Sequence, residues 1–183
     1  MLKYILLGFL NYYPMTGYDL KTRMEDSTAH FWHAYHSQIY TALRKMEEDG
    51  LLSSEMLDEE GSPTKREYTI TDVGRAKLKA WLDKSMMELP RVKNEMMVRA
   101  FFSGQRDKEH VIDELRAQRQ LHLQKLAIYE GYEMAHLLPP EIPMTPEIEH
   151  EMFFWNRTLD FGKRYERLCI DWLDETITAV ESH

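Results

Sequence analysis

The sequence predicts a mainly α chain in two parts: α-helices with a two-stranded β hairpin over residues 1–88, and an all-α unit over 89–183. Three observations predict it. Apolar residues recur at helical spacing up to Met46. The period then becomes that of two short strands flanking the turn-rich GSPTKR, residues 61–66. Beyond Pro90 helical spacing returns, with no β-rich alternation and only Gly104 and Gly131 before Gly162.

Each element follows from local chemistry. Residues 2–10 are almost continuously apolar, which predicts a short helix buried on more than one side, and Pro14 stops it. Thr16 stands three residues before Asp19, a capping-box variant that predicts a second helix over about 17–27 with Tyr18, Leu20 and Met24 inward. Ser37 is expected to cap a third helix, with Ile39, Leu43 and Met46 as its inner face and Tyr40 beside them. Gly50 stands where a left-handed residue ends such a helix.

Leu51–Glu60 and Glu67–Ile70 read as the strands of the hairpin. Thr71 and Asp72 open a fourth helix, Asp72 suiting its positive end, with Val73, Leu78, Trp81 and Leu82 expected on the inner face. Three helices, a hairpin and a further helix make a winged helix-turn-helix, in which the third helix enters a major groove and the hairpin is the wing.

The second half predicts a helix over about 90–103 and a long one over about 107–137. The proline-rich connector LLPPEIPMTP precedes a last helix over about 147–181. That last helix carries two apolar rows. One holds Phe161, Tyr165, Leu168 and Trp172; the other holds Cys169, Leu173, Ile177 and Val180. A single helical neighbour covers one row, so a second chain is expected to cover the other. Tyr165, Leu168, Cys169, Trp172, Leu173 and Ile177 are the interface candidates.

Composition narrows the function. A net charge of −8 gives no global attraction to nucleic acid, so any such contact must come from a local patch. Cys169 is the only cysteine, which leaves no intramolecular disulfide and no Cys-rich zinc site; it reads as a small packed residue. The apolar start is too short to span a bilayer, and a cytoplasmic protein is expected. There is no GxSxG, P-loop, dinucleotide fingerprint or HExxH, so neither an enzyme nor a cofactor is expected.

The stretch HFWHAYHSQIYTALRKMEEDGLL, residues 30–52, carries the main candidates. His30, His33 and His36 invite a metal reading. No cysteine is near, and Phe31, Trp32 and Tyr35 point to packing instead, so no metal is assigned. From His36 onward the residue types suit DNA. Ser37, Gln38, Thr41 and Lys45 fall on one polar side with Tyr40 and Arg44 at its margins. Gln38 can pair with adenine, Ser37 and Thr41 with phosphate or base, and Arg44 with guanine or phosphate, while His36 is expected to contact DNA or position the helix. Lys21 and Arg23 on the preceding helix, and Lys65 and Arg66 at the end of the wing turn, are the candidates for the DNA backbone. A separate concentration of aromatics, Phe154, Trp155 and Phe161 with Arg157 and Thr158, plus Phe102 elsewhere, is a candidate pocket for a flat apolar effector. Arg157 would pair with its acid group.

These stretches carry a resemblance. MLKYILLGFL, PMTGYDL, the 30–52 stretch and REYTITDVGRAKLKAWL resemble the PadR family of bacterial transcriptional regulators. VKNEMMVRAFFSG and FWNRTLDFGKRYERLCIDWLDE are similar to the C-terminal domain of its longer members. The resemblance implies a homodimeric repressor whose winged helices bind double-stranded promoter DNA, with a C-terminal dimer interface and, in some relatives, release by a small aromatic compound. One departure is Ser62 after Gly61, where wings of this family often carry arginine. The alternative reading is a winged-helix dimer that binds a small molecule or protein without binding DNA.

Overall fold

A computed structural model describes residues 1–29, 31–57, 65–90, 93–139 and 142–183. The chain divides into two compact units, Met1–Glu88 and Leu89–His183.

The first unit runs α1 (Leu2–Leu10), β1 (Met15–Thr16), α2 (Gly17–Ser27), α3 (His36–Glu48), β2 (Leu52–Leu57), β3 (Lys65–Ile70) and α4 (Asp72–Leu82). α2 starts on the expected reciprocal cap. The Asp19 N–H donates to Thr16 Oγ1 at 3.2 Å, and the Thr16 N–H donates to the Asp19 carboxylate at 3.0 Å. α3 starts one residue earlier than expected and Ser37 does not cap it. Tyr35 is the cap residue, and its N–H donates to Gln38 Oε1 at 2.9 Å. At the other end Gly50 has φ +70°, and Leu51 N–H reaches back to Met46 O at 2.8 Å while Gly50 N–H reaches Glu47 O at 2.9 Å. That is the Schellman pattern, and it buries Leu51 in the same core as Met46.

The sheet is three-stranded and antiparallel, in the order β1-β3-β2, with Leu52 opposite Ile70, Leu57 opposite Lys65 and Met15 opposite Tyr68. β1 was not expected, since two residues carry no period. The other end of the wing, residues 58–64 with Gly61 and Ser62, lies outside the described residues.

Leu6, Leu7, Leu10, Leu20, Met24, Ile39, Leu43, Met46, Tyr68 and Ile70 form one core. Tyr4 stacks on Trp81 at 4.4 Å beside it. Several expected core residues are outside. Tyr18 is 67 % exposed, because two residues from Leu20 is about 200° around a helix. On α4 the inner line is Gly74, Leu78 and Trp81, which leaves Val73 and Leu82 exposed at its flanks. Phe31 is exposed as well, and only its neighbour Trp32 packs against the core.

The second unit holds α5 (Glu95–Phe101), α6 (Lys108–Glu130) and α7 (Pro146–Ser182), with short 3-10 turns at Ser103–Gln105 and Met134–Leu137. α5 and α6 are both shorter than expected. Of the residues predicted to extend them, 91 and 92 lie outside the described residues and the others are loop and 3-10 turn, and α6 stops at Gly131. α6 and α7 pack as an antiparallel pair. Lys108 at the start of α6 reaches Glu181 O at 3.0 Å, and Glu130 at its end pairs with Arg167 at 2.7 Å. Val111, Ile112 and Leu115 of α6 close over Leu173 and Ile177 of α7. A second cluster joins Tyr129, Met134 and Leu159 with Trp155. Among the described residues no helix is long and apolar enough to cross a membrane.

Candidate nucleic-acid interface

α3 separates its faces sharply. Ile39, Leu43 and Met46 are buried, while His36, Ser37, Gln38, Tyr40, Thr41, Arg44 and Lys45 are exposed. The packing of three apolar side chains at i, i+4 and i+7 therefore fixes a polar flank that faces water. Two cationic side chains stand on it, against the chain's overall negative balance.

Not every polar group on that flank is uncommitted. The Gln38 carbonyl oxygen accepts from Tyr35 and holds the first turn in place, which leaves its amide N–H groups and one oxygen lone pair for a base edge. Thr41 donates to Ser37 O at 2.8 Å, which turns its hydroxyl back along the helix. Arg66, expected on phosphate, lies 3.3 Å from Glu47 at the end of α3, and Glu47 also accepts from Ser54 at 2.5 Å. This ties the wing to the helix. Lys21 pairs with Glu25 at 3.3 Å, an exposed contact that a phosphate would readily replace. Lys65 begins β3 and lines a cleft of about 400 Å³ with Thr16, Gly17, Asp19, Tyr40 and Arg66. The three histidines do not make a described cluster: His30 lies outside the described residues, His33 meets Tyr35 edge-on at 5.3 Å, and His36 lies 4.5 Å from Tyr40.

The aromatic effector candidates are dispersed. Phe154, Phe161 and Phe102 are exposed, Trp155 packs with Tyr129 and Leu159, Arg157 lies 3.9 Å from Asp160, and Thr158 donates to Trp155 O. None of the six lines either cavity described in this unit. The more polar one, of 630 Å³, is bounded by α5, α6 and Tyr165, and Met96, Val111 and Leu115 line it together with Lys93, Arg99, His122 and Lys125 and the carboxylates Glu95 and Glu114.

The interface candidates divide by row. Leu173 and Ile177 are covered by α6 of the same chain, so they are not available to another one. Phe161 and Leu168 are 62 % and 65 % exposed, Tyr165 is exposed less fully, and Trp172 and Cys169 are half-buried.

One feature escaped the sequence reading. Glu166 is buried, with His122 Nδ1 at 2.5 Å and Lys125 Nζ at 3.5 Å. It stands in the same line as Leu159, Ile170, Leu173 and Ile177, and that spacing was the signal that could have found it. Around it, burial pushes the Tyr129 hydroxyl up. Burial also acts to lower Lys125, but Tyr129 and Glu166 together carry it above the ordinary ammonium value.

Comparison with known proteins places this geometry. Residues 6–80 match the model of the transcriptional regulator PadR-like family, and residues 92–181 match that of the virulence activator alpha C-terminal domain. The negative transcriptional regulator PadR of Bacillus subtilis (strain 168) is 29 % identical over 99 % of this chain and 98 % of its own. A crystal structure of Bacillus subtilis PadR in complex with operator DNA is similar at a TM-score of 0.78 and 26 % identity, covering 98 % of each chain. Another, in complex with p-coumaric acid, is similar at a TM-score of 0.72 and 27 % identity, again over 98 % of each. With both halves matched in order and the winged helix and α6–α7 pair in place, the chain belongs to the PadR-like family of transcriptional regulators.

Proposed function

We propose that this protein is a sequence-specific DNA-binding repressor that acts as a homodimer in the cytoplasm and carries no catalytic activity. The observation that carries the reading is the exposed polar flank of α3, from His36 to Lys45, held outward by Ile39, Leu43 and Met46. Ser37, the Gln38 amide, Arg44 and Lys45 reach base edges and phosphates in the major groove. Lys21, Lys65 and Arg66 grip the backbone on either side. Two such helices, set about 34–36 Å apart by the dimer, match one turn of DNA. The complex of Bacillus subtilis PadR with operator DNA supports this assignment.

The dimer is built on the exposed row of α7, around Phe161, Tyr165 and Leu168, since α6 already covers the other row. A second element is release by a small aromatic acid, supported by the p-coumaric acid complex of the same relative. The 630 Å³ cavity suits such a ligand better than the scattered Phe102, Phe154, Trp155, Arg157, Thr158 and Phe161, because it gathers apolar side chains and Lys93 and Lys125 in one place, while its Arg99 is paired with Glu95 and Glu114. The acid shifts the dimer away from the DNA-binding geometry by as much as its affinity differs between the two states.

Gel-shift titration with the DNA upstream of the protein's own coding sequence, against unrelated DNA of equal length, tests the reading. Selective retention by the wild type, lost in Gln38→Ala and Arg44→Ala with the dimer intact, supports it. A folded dimer that retains neither DNA supports instead a module that binds a small molecule or a protein.

A further inference from the structure

The sequence reading left Gly17 aside, and the structure gives it a task. A Cβ placed on Gly17 would lie 2.6 Å from Tyr40 Cζ and 2.8 Å from both Cε1 and the hydroxyl oxygen. Heavy atoms do not approach so closely, so the Tyr40 ring occupies the space that any side chain at position 17 would need. The ring rests on the first residue of α2, against His36 on its own helix, and remains 37 % exposed. Tyr40 lines the same cleft as Lys65 and Arg66. Asp19, the acidic residue of that cleft, has one carboxylate oxygen, Oδ2, accepting from both the N–H and the hydroxyl of Thr16.

We propose that Gly17 is a positioning residue for DNA binding: by lacking a side chain it lets Tyr40 lie across the start of α2, where its hydroxyl donates to a DNA backbone phosphate held beside Lys65 and Arg66. The inference rests on the proposed DNA-binding function and adds to it a specific phosphate seat between α2, α3 and β3. A flexible tyrosine at the same position with nothing to lie on would sample several rotamers, and ordering it on binding would weaken the contact.

The steric conflict is with the far end of one side chain, not with backbone. Gly17→Ala therefore folds, because the ring swings away, and Gly17 has no positive φ that alanine would strain. The test is a double-mutant cycle read by fluorescence anisotropy on the upstream DNA fragment, using the full-length wild type, Gly17→Ala, Tyr40→Ala and the double variant. The expected result is a loss of affinity of about fivefold for Gly17→Ala, the scale of one hydrogen bond. No further loss is expected when the alanine is added to Tyr40→Ala. Because Tyr40 carries no charge, the loss is the same at low and high salt, whereas Lys65→Ala flattens the salt dependence by about 0.9 in slope. Thermal unfolding of Gly17→Ala stays close to that of the wild type. Wild-type affinity in Gly17→Ala, or an equal further loss in the Tyr40→Ala background, overturns the inference while leaving the DNA-binding function standing. A wild type that does not bind the fragment removes both.

Discussion

The Glu166 carboxylate lies 2.5 Å from His122 Nδ1, and together they join the middles of α6 and α7 beneath the surface of the C-terminal unit. Glu166 is 1 % exposed, in a row otherwise filled by Leu159, Ile170, Leu173 and Ile177. A carboxylate there is tolerated because His122 and Lys125 face it. Glu166→Ala removes the acceptor and opens a void. Breaking a buried pair costs about 3–5 kcal/mol; here Lys125 regains water easily, so about 2–3 kcal/mol is expected. Glu166→Met fills the same space without a charge and is expected to cost less. Urea unfolding of the two variants measures the difference, and equal costs would mean that the ion pair, not volume, dominates.

Cys169 gives a prediction with a definite sign. Burial is the main cause that raises its thiol, with the Tyr165 hydrogen bond and Lys125 acting against it and Glu166 adding to it. A raised thiol has less thiolate at neutral pH than a free cysteine. Alkylation by iodoacetamide is therefore expected to be slower than that of glutathione at pH 7.5, and to accelerate only above the ordinary thiol range. Rapid reaction at neutral pH would make Cys169 a candidate redox sensor.

Gly74 is a tight approach of a different kind from Gly17. A Cβ there would lie 2.3 Å from Leu51 O and 2.8 Å from Ile70 Cγ1, and backbone cannot swing aside. Alanine gains about 1 kcal/mol of helix propensity over glycine. The clash outweighs it. Gly74→Ala is expected to lose about 2 kcal/mol in denaturant unfolding, on the scale of overpacking elsewhere. A stabilised variant would show that the Leu51–Gly74 approach is looser than it stands here.

Phe161 and Leu168 form an exposed apolar row on α7, and the proposed dimer is built on it. Leu168→Asp places a charge in it without touching the α6–α7 core. In sedimentation velocity the wild type is expected to run as a dimer and Leu168→Asp as a monomer with unchanged helical content. A dimer that survives the change would move the interface elsewhere.

Much of this architecture is visible in the residues, and the failures have physical causes. The Thr16–Asp19 box, the Gly50 terminus and the inner face of α3 are each set by neighbours within one or two turns, and they stand as expected. Tyr35 displaces Ser37 as the cap because Gln38 reaches back from three residues on, a reciprocal contact that cap preference alone does not capture. Leu173 and Ile177 show the harder case. Two apolar rows on one helix say that two partners exist, but not which partner is the chain itself. The polar flank of α3 was legible residue by residue. That Gln38 and Arg66 are partly engaged was not, because their partners Tyr35 and Glu47 emerge only once the turn and the wing are in place.

The proposed DNA binding depends on Arg44 and its neighbours meeting a polyanion. The most direct measurement is the salt dependence of binding to the upstream DNA fragment for the wild type and Arg44→Ala. If Arg44 neutralises a phosphate, affinity falls steeply with salt in the wild type, and the variant is weaker with its slope reduced by about 0.9. Equal slopes and equal affinities, or no salt-sensitive binding at all, would contradict the claim that the outward flank of α3 is a DNA-reading surface.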